Sequence, residues 1–130
     1  MATDLTMTTI LRNKEWIVPD WPAPPNVRSL VTTRHGGISQ GVYSSLNLGD
    51  HVGDDPLAVA ANRARLGDCI ASQPVWLEQV HGTRVVDAAL SAGGQAPQAD
   101  AAFSRQAGVV CVVMTADCLP VLFCDERSEE

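Results

Sequence analysis

No stretch of this 130-residue chain approaches the ~20 consecutive apolar residues needed to cross a bilayer. Met1 to Ile10 has no basic start followed by an apolar segment, so neither an anchor nor a secretion signal is expected. The cytoplasm is the expected location, with no membrane contact. Positive charge is also scarce: nine Lys and Arg against fifteen Asp and Glu leave a net charge of −6, which argues against binding driven by a nucleic-acid phosphate backbone. The four cysteines, at 69, 111, 118 and 124, contain no Cys-x-x-Cys pair, and in a chain without a secretion signal they are expected to stay reduced. A disulfide framework is not expected. Internal repeats and low-complexity tracts are absent as well.

What is present suits one soluble domain. A chain of this length buries roughly two-thirds of its unfolded surface, enough for a real core. The content of 45% hydrophobic and 18% charged residues is ordinary for a globular protein. Residues 1–26 hold Trp16, Trp21 and a cluster of Pro19, Pro22, Pro24 and Pro25, and read as an extended lead-in whose tryptophans pack on the domain surface. Residues 27–130 read as the domain, of mixed α/β class, with strands dominating its second half.

Val27 to Thr33 is expected as the first strand, and Arg34 to Gly41, with three glycines in eight residues, as a loop. The strongest local signal follows. Asp55 suits a helix N-cap and Pro56 the first helical position, where its missing N–H has no partner to lose. The helix is expected to run to about Leu66 and stop at Gly67, with Leu57, Ala60, Ala61, Ala64 and Leu66 inward and Asn62 or Arg63 free to face a site. Pro74 opens a strand through Trp76, Thr83 to Val86 reads as another, and Ser91 to Ala99 as a small-residue loop.

Two segments carry candidate chemistry. Val109 to Met114 and Leu119 to Cys124 both read as strands buried on both faces, because neither alternates with polar residues. Thr115-Ala116-Asp117-Cys118 forms the turn between them and places Cys118 at the mouth of a sheet, with Asp117 fixing the turn. Cys111 and Cys124, inside the apolar runs, are expected to be buried and inert. The second segment, Val75 to Gly82, delivers His81 onto a glycine turn, with Glu78 facing solvent or supporting His81. A thiol and an imidazole so placed either pair as nucleophile and base or share a metal ion. The charged residues 125–130 directly follow an apolar strand, so something is expected to cover that strand.

Five segments resemble one family in order and spacing: Thr32 to Ser39, Ser45 to Asp54, Asn62 to Leu66, Trp76 to Gly82 and Thr115 to Val121. These are the YfiH-type purine nucleoside phosphorylases, long labelled polyphenol oxidases or multicopper laccases. The resemblance covers roughly residues 16–125 and implies layered mixed β-sheets flanked by helices. It also implies a zinc-dependent enzyme that cleaves adenosine, inosine and guanosine with phosphate and has adenosine deaminase activity. The family's metal is held by a histidine, a cysteine and a second histidine, and the first two map onto His81 and Cys118. The third lies in a His-Ala-Gly-Trp-Arg motif expected shortly after Asp125 and missing here, so the chain is expected to represent the N-terminal half of such an enzyme.

Motif position further nominates Arg63 and Arg34 for phosphate, through the bidentate fork of a guanidinium, and Asn47 and His51 for sugar or base. Copper, suggested by the older family label, is less attractive, because multicopper oxidation needs many histidines and this chain has three. Two other readings stay open. One is a Cys–His hydrolase or deamidase with Cys118 as thiolate and His81 as base. The other is an inactive fragment or assembly partner that self-associates through an uncovered sheet edge.

Overall fold

The computed structural model describes residues 15–125 apart from 71 and 92. The start of the expected lead-in and the charged residues 126–130 lie outside the described residues. Those that are described divide into two compact units, residues 15–69 with 124–125, and Ile70–Phe123.

In the first unit, Trp16 is buried rather than lying on the surface, and its indole N–H donates to the His35 carbonyl at 2.9 Å. Next to it Ile17 and Val31 exchange both backbone hydrogen bonds at 2.8 Å as a single antiparallel bridge. The strand expected over Val27 to Thr33 is reduced to that bridge. Its opposing segment holds Pro19 and Pro22, which have no N–H to continue a ladder. A 3-10 turn at Gly41–Tyr43 leads towards helix α1, Pro56–Gly67.

Helix α1 follows from local chemistry: the Asp55 carboxylate accepts the Leu57 N–H at 3.0 Å, and Pro56 occupies the first turn. The face it buries differs from the one expected. Val59, Asn62 and Leu66 point inward, at spacings of three and four, while Leu57 is 79% exposed. A buried asparagine anchors the helix, and a stripe chosen by hydrophobicity alone therefore came out rotated. Arg65, in the last turn, complements the helix dipole and donates to the Gly36 carbonyl at 3.1 Å.

The second unit is built on parallel pairing. Strand β1, Pro74–Val75, pairs with β4, Val110–Cys111; β2, Val85–Asp87, pairs with β3, Ala101–Phe103. A short helix α2, Ala88–Ser91, follows β2, its first turn held by Asp87, whose carboxylate accepts the Ala89 N–H at 3.0 Å. Glu78 and Gln98 add an isolated parallel bridge. Leu77, Val86 and Ala99 form the core cluster, with Ala102 and Val113 packed against it. Helices and short parallel ladders together make the class mixed α/β, as expected.

The two apolar runs do not both become buried strands. Val109 to Met114 contributes a ladder only at β4, and Val113 is partly buried. Leu119 to Cys124 forms no strand among the described residues, and Leu119 and Phe123 are each 90% exposed. A run without period-2 alternation signals cover on both faces, and no strand among the described residues supplies it here. Cys111 and Cys124 are accordingly exposed and half-buried rather than enclosed. Partial desolvation first and the nearby Asp87 charge second push the Cys111 thiol up. None of the helices described is long and apolar enough to cross a membrane.

Candidate functional site

His81 sits in a tight turn with φ of 58°, the left-handed region where a residue with a Cβ carries roughly 1–2 kcal/mol of strain. The Asp100 carboxylate holds it there. Its oxygens accept three consecutive backbone N–H groups, from Gly82 at 2.8 Å, His81 at 2.9 Å and Val80 at 3.3 Å. The Gly82 N–H is the chief cause that keeps the Asp100 carboxyl below the ordinary carboxylate value, with His81 and Val80 adding and partial burial opposing. Parallel pairing puts Asp100 in reach. The Glu78 N–H donates to the Pro97 carbonyl at 2.9 Å, the Ala99 N–H to the Glu78 carbonyl at 3.1 Å, and the Asp100 N–H to the Arg84 carbonyl at 3.2 Å. The cradle's hydrogen bonds go to backbone, the His81 side chain adds a charge interaction that also lowers the Asp100 carboxyl, and the imidazole is exposed.

Cys118 lies in an exposed bend with its thiol in no disulfide. Its Sγ–H donates towards Asp117 Oδ1 at 3.8 Å, and no hydrogen bond links it to His81. The segment leading to it is tied to the His81 turn two residues upstream of that turn's histidine. The Gln79 side-chain amide accepts the Met114 N–H at 2.7 Å and donates to the Met114 carbonyl at 2.9 Å. One side chain thus occupies both backbone groups that a neighbouring strand would pair. Gln79 and Asp100 were not singled out from the sequence. Gln79 lies within the Trp76 to Gly82 segment, whereas nothing local marks Asp100.

The other candidates belong to the first unit and hold their own loops. Asn47 accepts the Gly49 N–H at 3.1 Å and donates to the Gly49 carbonyl and to Asp54 Oδ2, each at 3.2 Å. Arg63 donates through Nε to the Leu48 carbonyl at 2.9 Å and places Nη2 3.6 Å from Asp50. Burial lowers the Arg63 pKa and the Asp50 charge opposes this. His51 is exposed with Nδ1 3.7 Å from the same Asp50 oxygen. The structure thus gathers Arg63 and His51 on one carboxylate. Arg34 is exposed and donates through Nε to the Ser44 carbonyl at 2.7 Å.

Asn62, a helix residue expected to have the option of facing a site, is fully buried and structural. Its amide donates to Ser39 Oγ and the Asn47 carbonyl and accepts the Ile38 N–H, all at 2.8 Å. A cleft of about 410 Å³ in the same unit runs from Ile38 to Asp54 and Leu57 and includes none of the candidate residues.

No group of three or more His, Cys, Asp or Glu placed to hold a metal ion is present among the described residues. The donors that are present suit a borderline-soft divalent ion in kind: an imidazole and a free thiol, both exposed, both in the second unit. In number they fall short of the three protein ligands usual for catalytic zinc.

Comparison with known proteins places the chain. Residues 28–130 match the family described as multi-copper polyphenol oxidoreductase laccase. A purine nucleoside phosphorylase of Pseudomonas aeruginosa is 56% identical over 110 residues, covering 85% of this chain and 44% of that one. Purine nucleoside phosphorylase YfiH of Escherichia coli is 50% identical over 119 residues, covering 88% and 47%. Among solved structures, a Neisseria meningitidis protein of family DUF152 superposes with a TM-score of 0.77 at 51% identity, covering 81% of this chain and 43% of that one. The chain belongs to the YfiH, or polyphenol oxidase-laccase, family and spans less than half the length of these relatives.

Proposed function

We propose that this chain carries the His81 and Cys118 portion of a zinc-dependent purine nucleoside phosphorylase acting on adenosine, inosine and guanosine, with adenosine deaminase activity at the same site. The observation that supports this most directly is the pair of exposed donors, His81 on its strained turn and Cys118 in its bend, in a chain 56% identical to a purine nucleoside phosphorylase.

Bound zinc supplies Lewis acidity to the reacting centre, and His81 and Cys118 are the residues that would hold it. In phosphorolysis a phosphate oxygen bonds to the anomeric carbon as the glycosidic bond breaks and its electron pair leaves with the purine. Arg34, with an exposed guanidinium fixed at Nε, suits phosphate through the remaining fork. Arg63 would first have to exchange its contacts with Leu48 and Asp50. Asn47 and His51 are assigned to sugar or base. In deamination, water adds at the purine carbon bearing the amine and ammonia leaves. The Cys–His hydrolase reading lacks the thiol–imidazole hydrogen bond that a nucleophile and its base require.

The test is phosphate-dependent release of hypoxanthine from inosine, measured with zinc content for this chain and for a fusion to the remainder of the Pseudomonas aeruginosa relative. Turnover in the fusion that vanishes with chelator, returns with zinc and is lost in His81→Ala and Cys118→Ala is the expected result. Turnover that survives chelation or either substitution overturns the proposal.

A further inference from the structure

We infer that Gln79 and Asp100 are positioning residues that together set the spacing between the His81 imidazole and the Cys118 thiol; the inference rests on reading these two as ligands of one ion. Each acts at a different end of the same short segment. Asp100 fixes the backbone at positions 80, 81 and 82 and so holds His81 in a conformation it would not keep unaided. Gln79, two residues earlier, grips both backbone groups of Met114, four residues before Cys118.

The second grip matters because the ladder on that side is short. Strand β4 ends at Cys111, so the chain from Val112 to Cys118 runs on without strand pairing. At Met114 the Gln79 amide stands where a neighbouring strand would be, with the donor–acceptor order of a ladder and both bonds under 3 Å. Val113, packed against Leu77, Val86 and Ala99, keeps the adjacent residue on the core. The segment carrying Cys118 is thereby registered against the one carrying His81 by side-chain chemistry instead of a sheet. The hydrogen bonds of both braces go to backbone, and the imidazole and the thiol are both exposed. Partners bonded directly to a metal ligand typically change metal affinity by about 10–100-fold when removed, and braces acting one bond further out are expected at the lower end of that range.

The test uses the full chain with zinc as the probe. Zinc affinity is measured by competition with a chromogenic chelator for the parent, Gln79→Ala, Gln79→Glu, Asp100→Ala and Asp100→Asn. In parallel, a nitroxide is attached to Cys118 after Cys111 and Cys124 are replaced by Ser, and paramagnetic broadening of the His81 resonances is read without metal. The parent must bind zinc through His81 and Cys118 and show strong broadening at His81; if it does neither, the ligand reading itself fails and the inference falls with it. Given that parent, Gln79→Ala and Asp100→Ala are expected to weaken zinc about tenfold or more and to reduce or spread the broadening, with methyl resonances of Leu77 and Val86 unchanged. Gln79→Glu and Asp100→Asn, which each keep an acceptor, are expected to fall between. Parent-like zinc affinity and broadening in all four variants would overturn the inference while leaving the ligand reading intact. Should an alanine variant fail to fold, its conservative partner decides by the same criteria.

Discussion

The candidate site residues of the two units stand in different surroundings. In the first, Asn62, Asn47, Asp54, Ser39 and Arg63 bond to one another or to nearby backbone, so the side chains themselves build the fold. In the second, Gln79 and Asp100 likewise bond backbone, whereas the His81 and Cys118 side chains are exposed. The difference teaches how to separate structural from functional polar residues: the informative question is where the polar atoms go, and residue type alone does not answer it.

Breaking the first half of that contrast gives the largest expected effect. Asn62→Ala removes three hydrogen bonds at a fully buried position and strands the Ile38 N–H, so unfolding in urea is expected to show a loss of about 3 kcal/mol. Gly37→Ala comes next. An added Cβ would lie 2.2 Å from the Ser45 carbonyl oxygen and 2.6 Å from Asn62 Oδ1, and the forced backbone shift is expected to cost about 2 kcal/mol in the same measurement.

Sharpening the other half calls for substitutions that leave stability alone. His81→Gly relieves the left-handed strain and is expected to be neutral or stabilising by up to about 1 kcal/mol in urea, while abolishing zinc binding. Cys118→Ser, at an exposed bend, is expected to stay within about 0.5 kcal/mol of the parent and to lose zinc as well. A large loss of stability from either would place that residue in the structural class.

Acid titration sharpens the contrast further. The Ser39 hydroxyl is the main cause that lowers the Asp54 carboxyl, with Asn47 and the Asp55 N–H adding and desolvation opposing. A carboxylate depressed in the folded state adds stability above its unfolded pKa, near 3.8, and loses it as pH falls through the lower folded value. Asp54→Asn is therefore expected to flatten the fall of stability below about pH 4, read from urea midpoints across pH.

What was legible in the sequence followed the range of the interaction. The start of helix α1 is readable because Asp55 and Pro56 act on their immediate neighbours, and the structure places the N-cap there; the helix runs through Gly67, expected as its stop, and is capped at Asp68. The buried face is not legible, because Asn62, polar by type, is satisfied by Ile38, Ser39 and Asn47, partners far along the chain that no periodicity announces. The apolar runs at 109–114 and 119–124 carry the local pattern of strands, yet a strand exists only where a partner does. Gln79 and Asp100 act only because parallel pairing carries residues 78–82 past residues 97–100 and Met114 nearby. His81 and Cys118 stood out for a simpler reason: each is a rare reactive type placed on a turn.

If one divalent ion takes both His81 and Cys118, X-ray absorption at the zinc edge of the zinc-loaded chain will show it. A sulfur neighbour at about 2.3 Å is expected together with imidazole nitrogen at about 2.0 Å, the sulfur lost in Cys118→Ser and the imidazole signature reduced in His81→Ala. A zinc environment of oxygen alone, or one unchanged by both substitutions, would contradict it.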